Sequence, residues 1–228
     1  MYRLHYAPDN ASLIIRLVLE EMDLPYRTVL VDRSVTAQHS AAYLRINPMG
    51  MIPALETPDG PMFETAAILL WLADKYGLMA PLPGTPERAP FLSWLVAIST
   101  GLQMELRQLS YPERYAGDDT ESHAAKVRAR LIRMLDRLEA LAGDGHGWFA
   151  GDRMTVLDIY VTVLLRWHGL YPRGGTDWFV LGTWPRLQAL CAAVERRPSM
   201  QSAIEAEGLG PSPLTAPRYA TPKEGTAL

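Results

Sequence analysis

Hydrophobic and polar positions follow two different rhythms along the chain. Up to about residue 77, short β-like runs (Tyr2 to Tyr6, Tyr26 to Val31, Ala54 to Glu56) alternate with helical patterns at about Ala11 to Met22 and Ser40 to Leu44. Pro58-Asp59-Gly60 reads as a turn, and a brief extended stretch follows from Pro61 to Phe63. Glu64-Thr65 then opens a helix whose Ile68, Leu69 and Leu72 share one face, with Gly77 as its stop. This is an α/β order. Between Leu78 and Pro90 lie four prolines and Gly84, a composition that ends helices and spaces domains. Beyond it the pattern is helical: Phe91 to Leu109, Glu121 to Leu141, Thr155 to His168, Trp184 to Arg196 and a shorter piece around Met200 to Glu207. The Pro-rich tail from Gly210 predicts no regular structure and has the reach to lie across a site.

Composition narrows the function without choosing it. The 228 residues carry a net charge of −3, which leaves no electrostatic footprint for nucleic acid. Apolar runs such as Ala66 to Ala73 are too short to cross a bilayer, so no membrane partner is expected. One cysteine, Cys191, excludes an intrachain disulfide and reads as a buried thiol, and the opening MYRLHYAPDN lacks a basic and apolar leader, which makes a cytoplasmic protein the expectation. The five histidines show no metal-ligand spacing, so no metal is expected, and neither a G-x-S-x-G elbow nor a phosphate-binding loop is present. Thr155 and Asp158 have the spacing of a capping box, a folding role. Arg128, Arg130, Arg133 and Arg137, interspersed with Asp136 and Glu139, read as a solvated or dimer-facing surface.

The densest chemistry lies in NPMGMIPALETPDGPMFETAAILLWLADKYG, from Asn47 to Gly77. An X–Pro bond such as Ile52-Pro53, placed in a turn before a short strand, is the likeliest place for a cis peptide. It leaves the Ile52 backbone available to an extended peptide ligand. A helix start carrying Thr65 favours an anion, and the Glu64 carboxylate beside it can hold an ammonium, so the pair fits an amino-acid head group.

This N-P-x-G-x-[IV]-P-A-L core with a later E-[ST] pair resembles the N-terminal domain of the glutathione transferase family, in its bacterial form and without an assignable class. MYRLHYAPDNASLIIRLVLEEMDLPYR resembles the family's first strand, loop and helix. YLRINPMG is similar to its approach to the proline turn, GDRMTVLDIYVTVLL to its folding box, and RRPSMQSAIEAEG to its final helix; together these span roughly residues 1 to 208. The resemblance implies a thioredoxin-like α/β domain (1–78), a linker (79–90), an all-helical domain (91–209) and an irregular tail (210–228). It also implies a homodimer, and glutathione as co-substrate for attack on small electrophiles in detoxification, or for peroxide or disulfide reduction. A glutathione-dependent isomerase or dehalogenase, and a non-catalytic ligand-binding member, are the alternatives.

By the same resemblance Ile52 and Pro53 form the backbone contact to the cysteinyl part, and Glu64 and Thr65 hold the γ-glutamyl end. Met51 cannot pair with the glycine carboxylate, which leaves His39 or Gln38. Thiol activation needs donors rather than a base: a free thiol has a pKa of about 8.5, and lowering it by two units takes about 2.7 kcal/mol. The family's catalytic serine aligns with Asn10 and its cysteine with Ala11, so the usual groups are replaced. Asn10, with an NH₂ donor, ranks first, Ser12 second and Tyr6 third. The electrophile is expected between the domains, against Met104, Arg107, Gln108, Tyr111 and Tyr115 on a helix read from Phe91 to Tyr115, with Trp167 from a later helix.

Overall fold

A computed structural model describes residues 1–227; Leu228, the end of the expected tail, lies outside the described residues. Four strands form one mixed sheet in the order β2-β1-β3-β4: β1 (Tyr2–Tyr6), β2 (Tyr26–Leu30), β3 (Ala54–Thr57) and β4 (Gly60–Phe63). β1 and β2 run parallel, as the intervening helix α1 (Ser12–Glu21) requires, while β3 and β4 form an antiparallel hairpin closed by the expected Pro58-Asp59-Gly60 turn. A short α2 (Ala41–Leu44), capped by the Ser40 hydroxyl, precedes the proline turn. α3 (Thr65–Tyr76) ends on left-handed Gly77 as its sequence predicts. Leu13, Ile14, Leu17 and Val18 of α1 and Ile68, Leu69 and Leu72 of α3 are fully buried with Leu4 and Leu55 of the sheet. Each such burial contributes about 2 kcal/mol.

The helical region comprises α4 (Arg88–Ala97), a π-helical turn (Ile98–Gln103), α5 (Met104–Ser110), α6 (Thr120–Gly143), α7 (Val156–His168) and α8 (Pro185–Glu195). α7 is buried on every side, as befits a helix apolar all round, and α6 buries the single stripe Val127, Leu131, Leu135 and Leu138. Three features differ from the sequence expectation. The first helix starts at Arg88, inside the expected linker, because Pro90 falls in a first turn where its missing N–H costs nothing. That helix is not continuous from Phe91 to Leu109: the π turn interrupts it at Gly101, where a Cβ would stand 2.8 Å from Met134 Cε. Nor does it run to Tyr115, since Tyr111 precedes Pro112 and leaves the helical region (φ −133, ψ 57).

The chain divides into two compact units, 1–78 with 195–213 and 218–228, and 79–194 with 214–217. The final helix α9 (Pro198–Glu207) therefore packs with the sheet unit rather than the helical one in which the sequence pattern placed residues up to 209. The cause is ionic. Arg16 of α1 pairs with Glu207 at 2.7 Å, and Glu21 receives Arg197 and Ser199 at 2.5 Å each, all within the sheet unit.

Candidate glutathione site

Asn47 builds the proline turn from beneath. Its buried side chain accepts the Met49 N–H at 3.0 Å and donates through Nδ2 to the Met51 carbonyl at 2.7 Å, while its own carbonyl takes the Gly50 N–H at 3.0 Å. The Tyr43 hydroxyl donates to the same Met51 carbonyl at 2.5 Å, and burial pushes its phenol up to about 12. With Met51 held twice, the chain enters a cis Ile52-Pro53 peptide and then β3. Gly50 is left-handed (φ +62), and a Cβ there would lie 2.8 Å from His39 Nδ1 and 3.3 Å from the Gln38 carbonyl. The structure thus brings exposed His39 and half-buried Gln38 against the turn that presents Ile52. Gln38 Oε1 is buried without a protein partner.

Strand register joins this turn to the next element. Ala54 pairs with Phe63, so Pro53 and Glu64 are the next residues outward on the two strands of one hairpin. Glu64 has φ +69, a conformation that costs a non-glycine residue roughly 1–3 kcal/mol and is concentrated at functional sites. Its carbonyl accepts the Ile68 N–H at 3.0 Å, which opens α3, yet its exposed carboxylate caps nothing. Thr65, the first helical residue, is buried beside it. A carboxylate and a helix terminus therefore stand together at the edge of the proline turn, as an amino-acid head group requires.

The loop after β1 carries the candidate donors. Ser12 is fully buried; its hydroxyl donates to the Ala7 carbonyl at 3.0 Å and accepts the Ala7 N–H at 3.3 Å, so its proton serves the loop. Asn10 Oδ1 accepts the Ala11 N–H at 2.7 Å and its carbonyl accepts Leu13 N–H at 2.7 Å, leaving Nδ2 without a partner among the described residues. Tyr6 is buried and donates its hydroxyl proton to Glu224 Oε1 at 2.5 Å; burial first and Glu224 second raise its phenol pKa. Left-handed Asp9 (φ +49) donates its N–H to Glu207 Oε2 at 2.8 Å. Glu207 in turn faces Arg16 Nε at 2.7 Å; burial raises its carboxyl pKa, against the guanidinium and the Asp9 N–H that lower it. Arg16 lies over the Tyr6 ring at 5.1 Å and donates to the Tyr26 hydroxyl at 3.2 Å.

Sequence reasoning missed Asn47 as the scaffold of the turn, and Arg16, Glu207 and Glu224 as the scaffold of the loop. Asn47 stood in the quoted motif and carried a signal; the others are charged residues far apart in sequence, with none.

In the helical unit, Arg107, Tyr111 and Tyr115 come together. Arg107 Nε donates to the Tyr115 hydroxyl at 2.9 Å, and the guanidinium lies 5.5 Å from the Tyr111 ring centre, with Arg114 over the same ring at 5.0 Å. Arg107 makes no ion pair among the described residues. Met104 is exposed. Gln108 turns instead to Glu105 at 3.5 Å, whose carboxylate is gripped by Arg130 at 2.5 and 2.7 Å, and Trp167 is buried within α7. Among the described residues no cluster of His, Cys, Asp or Glu could hold a metal, and no helix is long and apolar enough to cross a membrane.

Family models for the glutathione S-transferase N-terminal domain and C-terminal domain match residues 11–75 and 121–193. The glutathione S-transferase GstA of Escherichia coli is 31% identical, covering 91% of this chain and 99% of its own. The disulfide-bond oxidoreductase YfcG of the same species is also 31% identical, over 92% of this chain and 97% of that one. Among solved structures, a glutathione transferase from Burkholderia graminis, with two glutathione molecules bound per subunit, superposes with a TM-score of 0.78 at 27% identity, covering 92% of this chain and 89% of that one. With both of its domains matched and a relative 31% identical over nearly its whole length, the chain belongs to the glutathione S-transferase family.

Proposed function

We propose that the protein binds glutathione along the Ile52-Pro53 turn, with the γ-glutamyl end at Glu64 and Thr65 and the glycine carboxylate toward His39 and Gln38, and activates its thiol for attack on a small electrophile. The observation that carries this is the hairpin register, which sets a strained, uncapped Glu64 beside the cis-proline turn. Glutathione in the Burkholderia graminis relative supports the ligand. Replacing Glu64 by Ala removes the ammonium partner and weakens glutathione binding by about tenfold in calorimetric titration. Unchanged affinity rejects the assignment.

Activation falls to Asn10 Nδ2 acting with the start of α1, since Ser12 spends its proton on Ala7 and Tyr6 on Glu224. One hydrogen bond to a charged acceptor is worth about 1.5–3 kcal/mol, enough with the helix terminus for a shift of one to two pKa units. Ultraviolet titration of the bound thiol should show a depressed pKa that Asn10→Ala raises while affinity stays nearly constant. Arg107, held against Tyr111 and Tyr115 with no carboxylate partner among the described residues, suits an aromatic acceptor carrying an anionic group.

Disulfide or peroxide reduction is the second reading, favoured by the disulfide-bond oxidoreductase relative. With no cysteine in the loop and Cys191 buried, both sulfurs come from glutathione: one thiolate attacks the disulfide and expels a thiolate, and a second resolves the mixed disulfide to oxidised glutathione. Parallel assays with an aromatic electrophile and a small disulfide separate the two. The active form is a homodimer, with a sedimentation mass twice the 25.4 kDa of one chain.

A further inference from the structure

The chain beyond α9 turns back onto the loop that carries Asn10. At left-handed Gly208 (φ +66) a Cβ would stand 2.3 Å from the Thr221 carbonyl oxygen, and the Thr221 N–H donates to the Gly208 carbonyl at 2.9 Å, so the segment closes on itself. At Gly225 (φ +70) a Cβ would fall 2.7 Å from Leu30 Cδ1 and 3.2 Å from Pro8 Cδ; glycine alone lets the backbone lie against the end of β2 and the proline of the loop. Next to it, Glu224 takes the hydroxyl proton of Tyr6 at 2.5 Å.

A phenol has one proton to donate, so it serves one anion at a time. We propose that Glu224 is a positioning residue for thiol activation, acting through Tyr6: with the tail strapped down its carboxylate holds the Tyr6 proton and leaves the sulfur to Asn10, and with the strap lifted Tyr6 becomes a second donor to the thiolate. The proposal rests on the glutathione reading above. It also gives the tail a function that a disordered extension would not have, because each end of the strap is set by a left-handed glycine, one against the Thr221 backbone and the other against Leu30 and Pro8.

The test uses the full-length protein and four variants: Glu224→Ala, Glu224→Gln, Gly225→Val and Tyr6→Phe, with the Glu224→Ala/Tyr6→Phe double. The thiol pKa of bound glutathione is read by ultraviolet titration, and amide hydrogen exchange is followed over residues 6–11 and 221–227. Glu224→Ala and Gly225→Val should lower the thiol pKa by about one unit, as one added donor to a thiolate does. Glu224→Gln keeps an acceptor oxygen and should behave like the wild type. Tyr6→Phe alone should change nothing, and the double variant should return to the wild-type value. A rise in the pKa on Tyr6→Phe alone would overturn the proposal, because Tyr6 would already be serving the sulfur, as would an unchanged pKa in Glu224→Ala. If no variant and no wild type binds glutathione, the transferase reading and the thiol role fall together. Exchange then decides the strap separately: it stands if Glu224→Ala and Gly225→Val speed exchange at Ala7 to Asp9, and it falls if they do not.

Discussion

Arg16 and Glu207 lie 191 positions apart and meet at 2.7 Å, both almost wholly buried. An ion pair in that setting gains little net stability from its own attraction, because two charges have left water; removing one partner is what costs, typically 3–5 kcal/mol. Glu207→Ala should therefore destabilise the sheet unit by about that amount and free the Asp9 N–H as well, loosening the loop that holds Asn10. Replacing Arg16 and Glu207 together by Met and Leu should recover most of the loss in urea unfolding, and a double variant no more stable than Glu207→Ala would contradict this account. The pair left no trace in the sequence, where Glu207 reads as one more polar residue of a short helix. Glu64 is the opposite case: its place after the proline turn was legible, because motif and helix start coincide, whereas its φ of +69 was not.

Elements were legible where a buried stripe repeats at period 3.6, as in α3 and α6, where a helix is apolar on every side, as in α1 and α7, or where turn residues bound a short extended run, as in β1 to β4. The π turn at Ile98–Gln103 was not, since its apolar positions continue a helical pattern and the change of winding arises where Gly101 lets Met134 approach. The attachment of α9 was hidden for the same reason as Glu207, because the charges of α1 that fix its place lie far away in sequence. The start of α7 shows the reverse: Thr155 and Asp158 announced a capping box, and the structure has it, with the Thr155 N–H on Asp158 Oδ2 at 2.8 Å and the Ala150 N–H on Oδ1 at 2.7 Å. Thr155→Ala should lower the stability of the helical unit by about 1–2 kcal/mol while glutathione affinity stays within twofold. A loss of affinity without a fall in melting temperature would mean that this box serves the site and not the fold.

Two buried groups of the helical unit contribute to the pH dependence of stability with opposite signs. His168 is fully buried, its Nδ1 on the Leu164 carbonyl at 2.7 Å and its ring against Trp178 and Phe179, and burial pushes its pKa from 6.5 down to about 4. Its folded pKa is depressed, so the unfolded chain binds the proton first; the neutral ring supports the fold above pH 6.5, and that support is lost as pH falls toward 4. Asp158 runs the other way: burial raises its carboxyl from 3.8 to about 6 despite three donors, so its contribution is present below 3.8 and lost as pH rises through 6. Each shift amounts to about 3 kcal/mol, and between pH 4 and 6 the two slopes nearly cancel. Subtracting wild-type stability from that of each variant at the same pH removes the groups common to both. His168→Phe should gain on the wild type by roughly 1.4 kcal/mol for every unit that pH drops below 6.5, down to about 4. Asp158→Asn should lose ground over nearly the same range, because only the histidine slope remains. Urea unfolding at pH 4.5, 5.5 and 7.0 checks both lines, and parallel shifts of equal sign would show that neither burial controls the acid limb.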